Sequence, residues 1–194
     1  MSERAQLQGS WVTLEPVTTL NWPEVQRLDQ VRQWNPNLGG TPTRADAPAS
    51  YGPPVLIREH STATAVGILE NSQMTGYPGV AVVLIYTDEA AARPGVALEA
   101  FAMYVSSVFE AGARLVHLEV LEFNSRVHRI MKRLGLTEQA RQREQAYVAG
   151  RFWDVVVYAF DAREWDRILS RYARTLPGGD RRPAALGGRR RTSS

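Results

Sequence analysis

The apolar positions change period several times along the chain, and the changes mark its elements. Residues 79–87 (GVAVVLIYT) form a short apolar run of the kind buried on both faces of a sheet. From 96 to 110 the period becomes helical, because Leu98, Phe101, Ala102, Val105, Val108 and Phe109 fall on one face. Residues 114–123 (RLVHLEVLEF) read as a second strand. A short helix then carries Val127, Ile130, Met131 and Leu134 on one side. Asn124 leads it, and Gly135 closes it where a left-handed residue ends a helix.

Weaker patterns flank this unit. Residues 11–17 (WVTLEPV) predict an opening strand, followed by a helix with Asn21 as its cap, Pro23 in its first turn and Trp22, Val25, Leu28 and Val31 as its buried stripe. Residues 34–40 read as a loop, and 43–50 as at most one helical turn. This region is either a wall of a substrate cleft or an ordinary connection. Residues 55–59 and 64–71 predict two antiparallel strands. Residues 138–148 form a polar strand, turned at Ala149-Gly150 into the strong β run 152–160 (FWDVVVYAF). Asp161 caps a last helix carrying Trp165, Ile168, Leu169 and Tyr172. No internal repeat is present.

Composition narrows the class. At 194 residues the chain is one domain with room for a proper core. Its domain is expected to span 1–176, with 177–194 an Arg/Gly/Pro-rich tail too poor in apolar groups to order itself. The net charge of +3 comes from that tail, where Arg181, Arg182, Arg189, Arg190 and Arg191 face only Asp180. The body is near neutral, which argues against a nucleic-acid surface. No apolar run approaches the ~18 residues of a membrane span, and the N-terminus has no signal-like apolar centre. Cysteine is absent, so no thiol nucleophile or thiolate metal site exists, and no metal is expected. The expectation is a soluble cytoplasmic protein. Its exposed strands and five tryptophans permit a homodimer without requiring one.

The candidate chemistry lies at two places. At Arg93-Pro94-Gly95-Val96-Ala97 a strand hands over to a helix through small residues. A helix N-terminus carries unpaired N–H groups and about half a positive charge, so the turn either suits a phosphate or is the common small-residue start of a helix after a strand. On the second strand, His117 and Glu119 are two apart and project from one face. They are either catalytic or the contact face for a polar helix or a partner. Glu70 and Asp88 read as weaker candidates at strand ends.

The order of these elements resembles the core of the GNAT (Gcn5-related N-acetyltransferase) superfamily, and in particular its RimJ/RimL-like branch. That family's phosphate turn has the form Q/R-x-x-G-x-G/A, which Gly95 and Ala97 match. The leading basic position falls on Ala92, with Arg93 beside it. Glu99-Ala100, Asn124, Leu134-Gly135-Leu136 and the late set Tyr147, Gly150, Arg151, Phe152 and Asp154 match further positions. The resemblance covers about nine tenths of the chain. It implies an α/β fold with a mixed sheet of about six to seven strands, splayed at the fourth and fifth, flanked by about four to five helices.

It also implies acetyl-CoA as co-substrate and an amine as acceptor, either a peptide N-terminus or a small metabolite. Arg93, Gly95, Val96 and Ala97 would meet the diphosphate. Ile85, Tyr86 and Thr87 would pair with the pantetheine arm, and Asn124 would hydrogen-bond it near the thiol, a role compatible with plain N-capping. His117 or Glu119 is the expected general base. The family Ser that protonates the departing thiolate falls on Val127, so Tyr147, Ser125 or His128 must serve, with Tyr147 preferred because a phenol can donate to a thiolate. If none serves, the proton moves through water or the protein binds acyl-CoA without turning it over.

Overall fold

The computed structural model describes residues 6–33 and 51–172, apart from 75 and 89. The expected cleft wall at 34–50 and the tail at 177–194 lie outside the described residues. The described chain forms eight strands and four helices: β1 (Leu7–Gln8), β2 (Val12–Pro16), α1 (Trp22–Gln33), β3 (Val55–Glu59), β4 (Thr64–Gln73), β5 (Val80–Thr87), α2 (Val96–Glu110), β6 (Leu115–Leu121), α3 (Ser125–Leu134), β7 (Glu138–Val148), β8 (Arg151–Asp161) and α4 (Ala162–Tyr172). One sheet holds all the strands in the order β1-β2-β3-β4-β5-β6-β8-β7. Only β5 and β6 run parallel. A parallel pair needs a long crossover, and α2 provides it.

The sheet has one strand more than the upper end of the expected range. β1 is the addition, and it is too short to display a period. It pairs with β2 through Leu7↔Leu14 and Gln8↔Thr13. Counting it moves the parallel pair from fourth and fifth to fifth and sixth.

Two cores sandwich the sheet. On one face α2, α3 and α4 cover Val83, Val116, Leu118, Val156 and Phe160. On the other, Val25 and Leu28 of α1 pack on Leu56, Ala65, Ile68 and Tyr86. Arg58 of β3 fastens α1 by pairing with Glu24 at 2.8 Å, and it pairs with Glu15 of β2 at the same distance. Asn21 does not cap α1 through its side chain. Its Oδ1 accepts the Thr18 N–H (2.7 Å) and its Nδ2 donates to Pro16 O (3.0 Å), so it shapes the approach to the helix instead. Asp161 does cap α4, accepting the Glu164 N–H at 2.8 Å.

β7 is an edge strand, almost wholly exposed. Two register shifts and a left-handed Glu144 (φ 50°) interrupt it. Its Arg141 reaches Glu138, Glu122 and Asp154 at 2.9, 3.0 and 3.4 Å. Bulges and charges of this kind keep an edge from pairing with another sheet. Among the described residues no helix is long and apolar enough to cross a membrane.

Candidate active site

The parallel ladder stops early. β5 and β6 pair at Val80↔Leu115, Ala81↔Val116 and Val82↔His117, and no further. Each strand keeps its other neighbour throughout: β5 pairs with β4 from Ala81 to Thr87, and β6 with β8 from Leu115 to Leu121. The two strands are thus held on their outer edges and open on their inner ones. Beyond the fork, the inward backbone groups of β5 and β6 must find partners other than each other. Leu84 records the opening, because it is 41% exposed although β5 is central in an eight-stranded sheet.

Above the fork, α2 begins at Gly95, whose φ of 94° is left-handed, and no side chain caps the helix there. The turn before it is closed by Asp88, whose Oδ1 accepts the Ala90 N–H (3.1 Å) and whose carbonyl accepts from Ala91 and Ala92. The Glu99 carboxylate, buried in the first turn of α2, accepts the N–H groups of Ser10 (2.7 Å) and Trp11 (2.8 Å). This contact staples the start of the chain to the turn. The Trp11 ring lies so close that a Cβ on Gly95 would sit 2.6 Å from its Cζ3. Gly95→Ala is therefore expected to lose about 1–2 kcal/mol from the left-handed φ alone, and more from the ring. Adding Trp11→Ala recovers only the second part. Urea unfolding measures both, and an unchanged midpoint for Gly95→Ala is the contrary result.

On the other side of the fork stands α3. Asn124 Oδ1 accepts the Val127 N–H at 3.2 Å, a genuine N-cap that leaves the Nδ2 protons for another acceptor. Asn124→Ala is expected to cost about 1 kcal/mol in unfolding free energy. His128 locks the same corner. Its Nε2 lies 3.0 Å from Leu121 O, and its Nδ1 lies 2.7 Å from the Tyr158 hydroxyl. A carbonyl only accepts, so Nε2 carries the proton and Tyr158 donates to Nδ1. Burial raises the pKa of the Tyr158 phenol, aided by the charge of Glu138. Sequence reading gave no sign of Tyr158. His128, one of the possible thiol-side donors, is tied to this clip.

The base candidates lie on the face of the sheet that α1 covers. Val82 and His117 form the last parallel pair, so Glu119 lies two residues past the fork on the open part of β6, on the level of Leu84. Glu119 is exposed, and His117 is half-buried with its Nδ1 lacking a hydrogen-bond partner. Glu70 is a half-buried mid-strand residue opposite Leu84, because β4 continues to Gln73 rather than ending at 71. Two carboxylates therefore share one row with Leu84, on the strands to either side of it. Tyr147 is elsewhere. It is 65% exposed at the end of β7, packed at a tilt against Phe152 with 5.0 Å between ring centroids, with β8 and β6 between it and the fork. A separate pocket of about 330 Å³ lies at the far end of α2, lined by Leu7, Leu14, Tyr51, Val55 and Tyr104 among others. It shares no residue with the fork or the turn.

No family model and no curated protein sequence matches the chain. Solved structures do match it in fold. A GCN5-related N-acetyltransferase from Brucella melitensis has a TM-score of 0.69 at 20% identity, covering 91% of this chain and 88% of that one. The sheet, its fork and the helices together define the GNAT fold, and this chain has it. Within that fold class, it is similar to RimJ of Mycobacterium smegmatis, solved in complex with CoA-disulfide (TM-score 0.68, 18% identity, 86% of this chain and 92% of that one). It is also similar to the ribosomal-protein-S5-alanine acetyltransferase of Vibrio fischeri (TM-score 0.67, 10% identity, 83% and 98%).

Proposed function

We propose that the protein is an acetyl-CoA-dependent N-acyltransferase that moves an acyl group to a primary amine, on a peptide N-terminus or a small molecule. The observation that carries this reading is the fork, because a ladder that ends after three pairs beside an uncapped helix start leaves backbone donors free for an extended, phosphate-bearing ligand. In this reading the N–H groups of Gly95 and Ala97 receive the diphosphate, while that of Val96 closes the turn on Arg93 O at 3.2 Å. The inner edge of Ile85, Tyr86 and Thr87 pairs with the amides of the pantetheine arm. The free Nδ2 protons of Asn124 meet the arm near its thiol end.

The acceptor then approaches from the α1 face, where Leu84 makes the floor and Glu119 and Glu70 stand to either side. The amine attacks the thioester carbonyl directly. Its nitrogen forms the new bond to the acyl carbon as the carbon–sulfur bond breaks, and CoA leaves as the thiolate. Before the attack Glu119 takes one proton from the ammonium, and the second proton, shed by the nitrogen as the amide forms, passes through water to the departing thiolate. Support for a soluble protein acting on soluble partners comes from the near-neutral body and the absence of a membrane-length apolar run in the sequence.

A thiol-release assay with acetyl-CoA against a panel of amines tests the proposal. Acceptor-dependent CoA release is the expected result, and no release from any amine is the contrary one. One observation favours a second reading, an acyl-CoA-binding module without turnover. Val127 replaces the family serine, His128 is engaged with Tyr158 and Leu121, and Tyr147 stands two strands away from the fork. Saturable CoA binding without release for any acceptor identifies that case.

A further inference from the structure

Glu59, the last residue of β3, is fully buried at 0% exposure. Its Oε1 accepts from the Ser61 hydroxyl (2.9 Å) and from Nε of Arg93, while its Oε2 has no hydrogen-bond partner. A buried carboxylate with an unsatisfied oxygen is costly, and an apolar residue at the end of a strand would avoid that cost. Burial raises its pKa, but the bonds from Ser61 and Arg93 and the Arg93 charge outweigh burial and hold the carboxyl below its ordinary value. It is therefore an anion at neutral pH, and its counter-ion belongs to the turn that opens α2.

The contact with Arg93 is side-on. It uses Nε, which leaves the two terminal Nη groups outside the pair, and the Arg93 side chain is 55% exposed. Arg93 is two residues before Gly95 and is the only basic residue from 88 to 99. Ala92, the position where the resemblance expects a basic side chain, has no charge to offer. An unheld arginine surrenders much of its rotamer freedom when a ligand fixes it. One already fixed through Nε has less to lose, and its remaining fork has the geometry of a phosphate oxygen pair.

We infer that Glu59 is a positioning residue, which holds Arg93 side-on so that its Nη groups stand at the Gly95 turn as donors to the diphosphate of the acyl-CoA. The inference rests on the acyl-CoA reading above. It makes the Glu59–Arg93 pair, together with the backbone amides, the source of selectivity for CoA over the bare pantetheine arm. Glu59 touches no ligand atom itself, and its effect passes through Arg93.

Calorimetric titration of the full chain with CoA and with pantetheine tests it, using wild type, Glu59→Gln, Arg93→Ala, Arg93→Lys and the Glu59→Gln/Arg93→Ala double variant. Arg93→Ala is expected to weaken CoA about tenfold or more, the size of a lost charge-assisted bond, and to leave pantetheine unchanged. Glu59→Gln is expected to weaken CoA several-fold and to add nothing in the Arg93→Ala background, since it acts only through that side chain. Arg93→Lys keeps the charge without the side-on hold, and is expected to recover less than half of the logarithmic loss.

Three results overturn the inference: Glu59→Gln binding CoA as tightly as wild type or tighter, equal losses for CoA and pantetheine, or additive losses in the double variant. Equal losses mark a collapsed turn, which a lowered thermal midpoint would accompany. If wild type binds pantetheine but not CoA, the positioning role falls while the fork remains a ligand site. If it binds neither, the acyl-CoA reading itself falls, and this inference with it.

Discussion

Replacing Glu119 with Gln is expected to lower kcat for an ε-amine acceptor about a hundredfold or more at pH 7, within the usual range for a lost general base. Glu119 stands past the fork, exposed, beside the crevice floor at Leu84, while Gln keeps its shape and removes its basicity. The size of the loss depends on the acceptor. Freeing a lysine-type amine at pH 7 costs about 4–5 kcal/mol, whereas an α-amine costs only about 1. The loss with an N-terminal acceptor is therefore expected to be the smaller of the two. Raising the pH from 7 to 9 increases the neutral fraction of an ε-amine about a hundredfold and should restore much of the activity of Glu119→Gln. Initial-rate measurements on both acceptor classes across that range check this. An unchanged kcat at pH 7 removes Glu119 as the base, and Glu70→Gln, on the opposite side of Leu84, is then the variant to examine. A loss that does not vary with pH or acceptor gives Glu119 a role other than proton removal.

Trp165→Ala is expected to remove about 3–5 kcal/mol of folding free energy, a large part of the stability of a domain this size. Trp165 is 3% exposed and joins α4 to everything beneath it. Its ring stacks on Phe160 of β8 (5.3 Å between centroids, 22° between planes) and meets Phe101 of α2 edge-on at 5.8 Å. Its indole N–H donates to Ser106 Oγ at 3.0 Å. Removal leaves a cavity between two helices and the sheet that the surroundings cannot close. Trp165→Phe keeps most of the apolar contact and loses the hydrogen bond, so a smaller loss of about 1–2 kcal/mol is expected. Equilibrium denaturation of both variants gives the comparison. A loss below about 1 kcal/mol for Trp165→Ala would mean that α4 melts apart from the sheet rather than with it.

Much of this fold was legible from periods and punctuation, because those are local properties. The βαβα unit from β5 to α3 lies within a residue or two of where the apolar pattern places it. Asn124, Asp161 and Gly135 act at the helix ends as their side chains and backbone freedom predict. The shared face of His117 and Glu119 follows from the two-residue period of a strand, and the register confirms it. Strand β1 escaped because two residues carry no period. The side chain of Asn21 serves the chain before α1 rather than the helix, because the same amide can do either.

The site depended on contacts between residues far apart in sequence. That the β5–β6 ladder ends at Val82 and His117 is set by β4 and β8, which hold the outer edges of the two strands through their full length. Neither strand's own residues encode where their partnership stops. The same holds for Glu59 with Arg93, for Glu99 with the Ser10 and Trp11 amides, and for His128 with Tyr158. Each joins groups about thirty or more positions apart, and nothing in the local pattern around either partner pairs it with the other. The sequence by itself determined the elements and the small-residue turn, because backbone preference and side-chain period act within a few residues. Only the tertiary structure decided where the sheet opens and which charges stand there, because those follow from pairing that the packed sheet and helices impose at a distance.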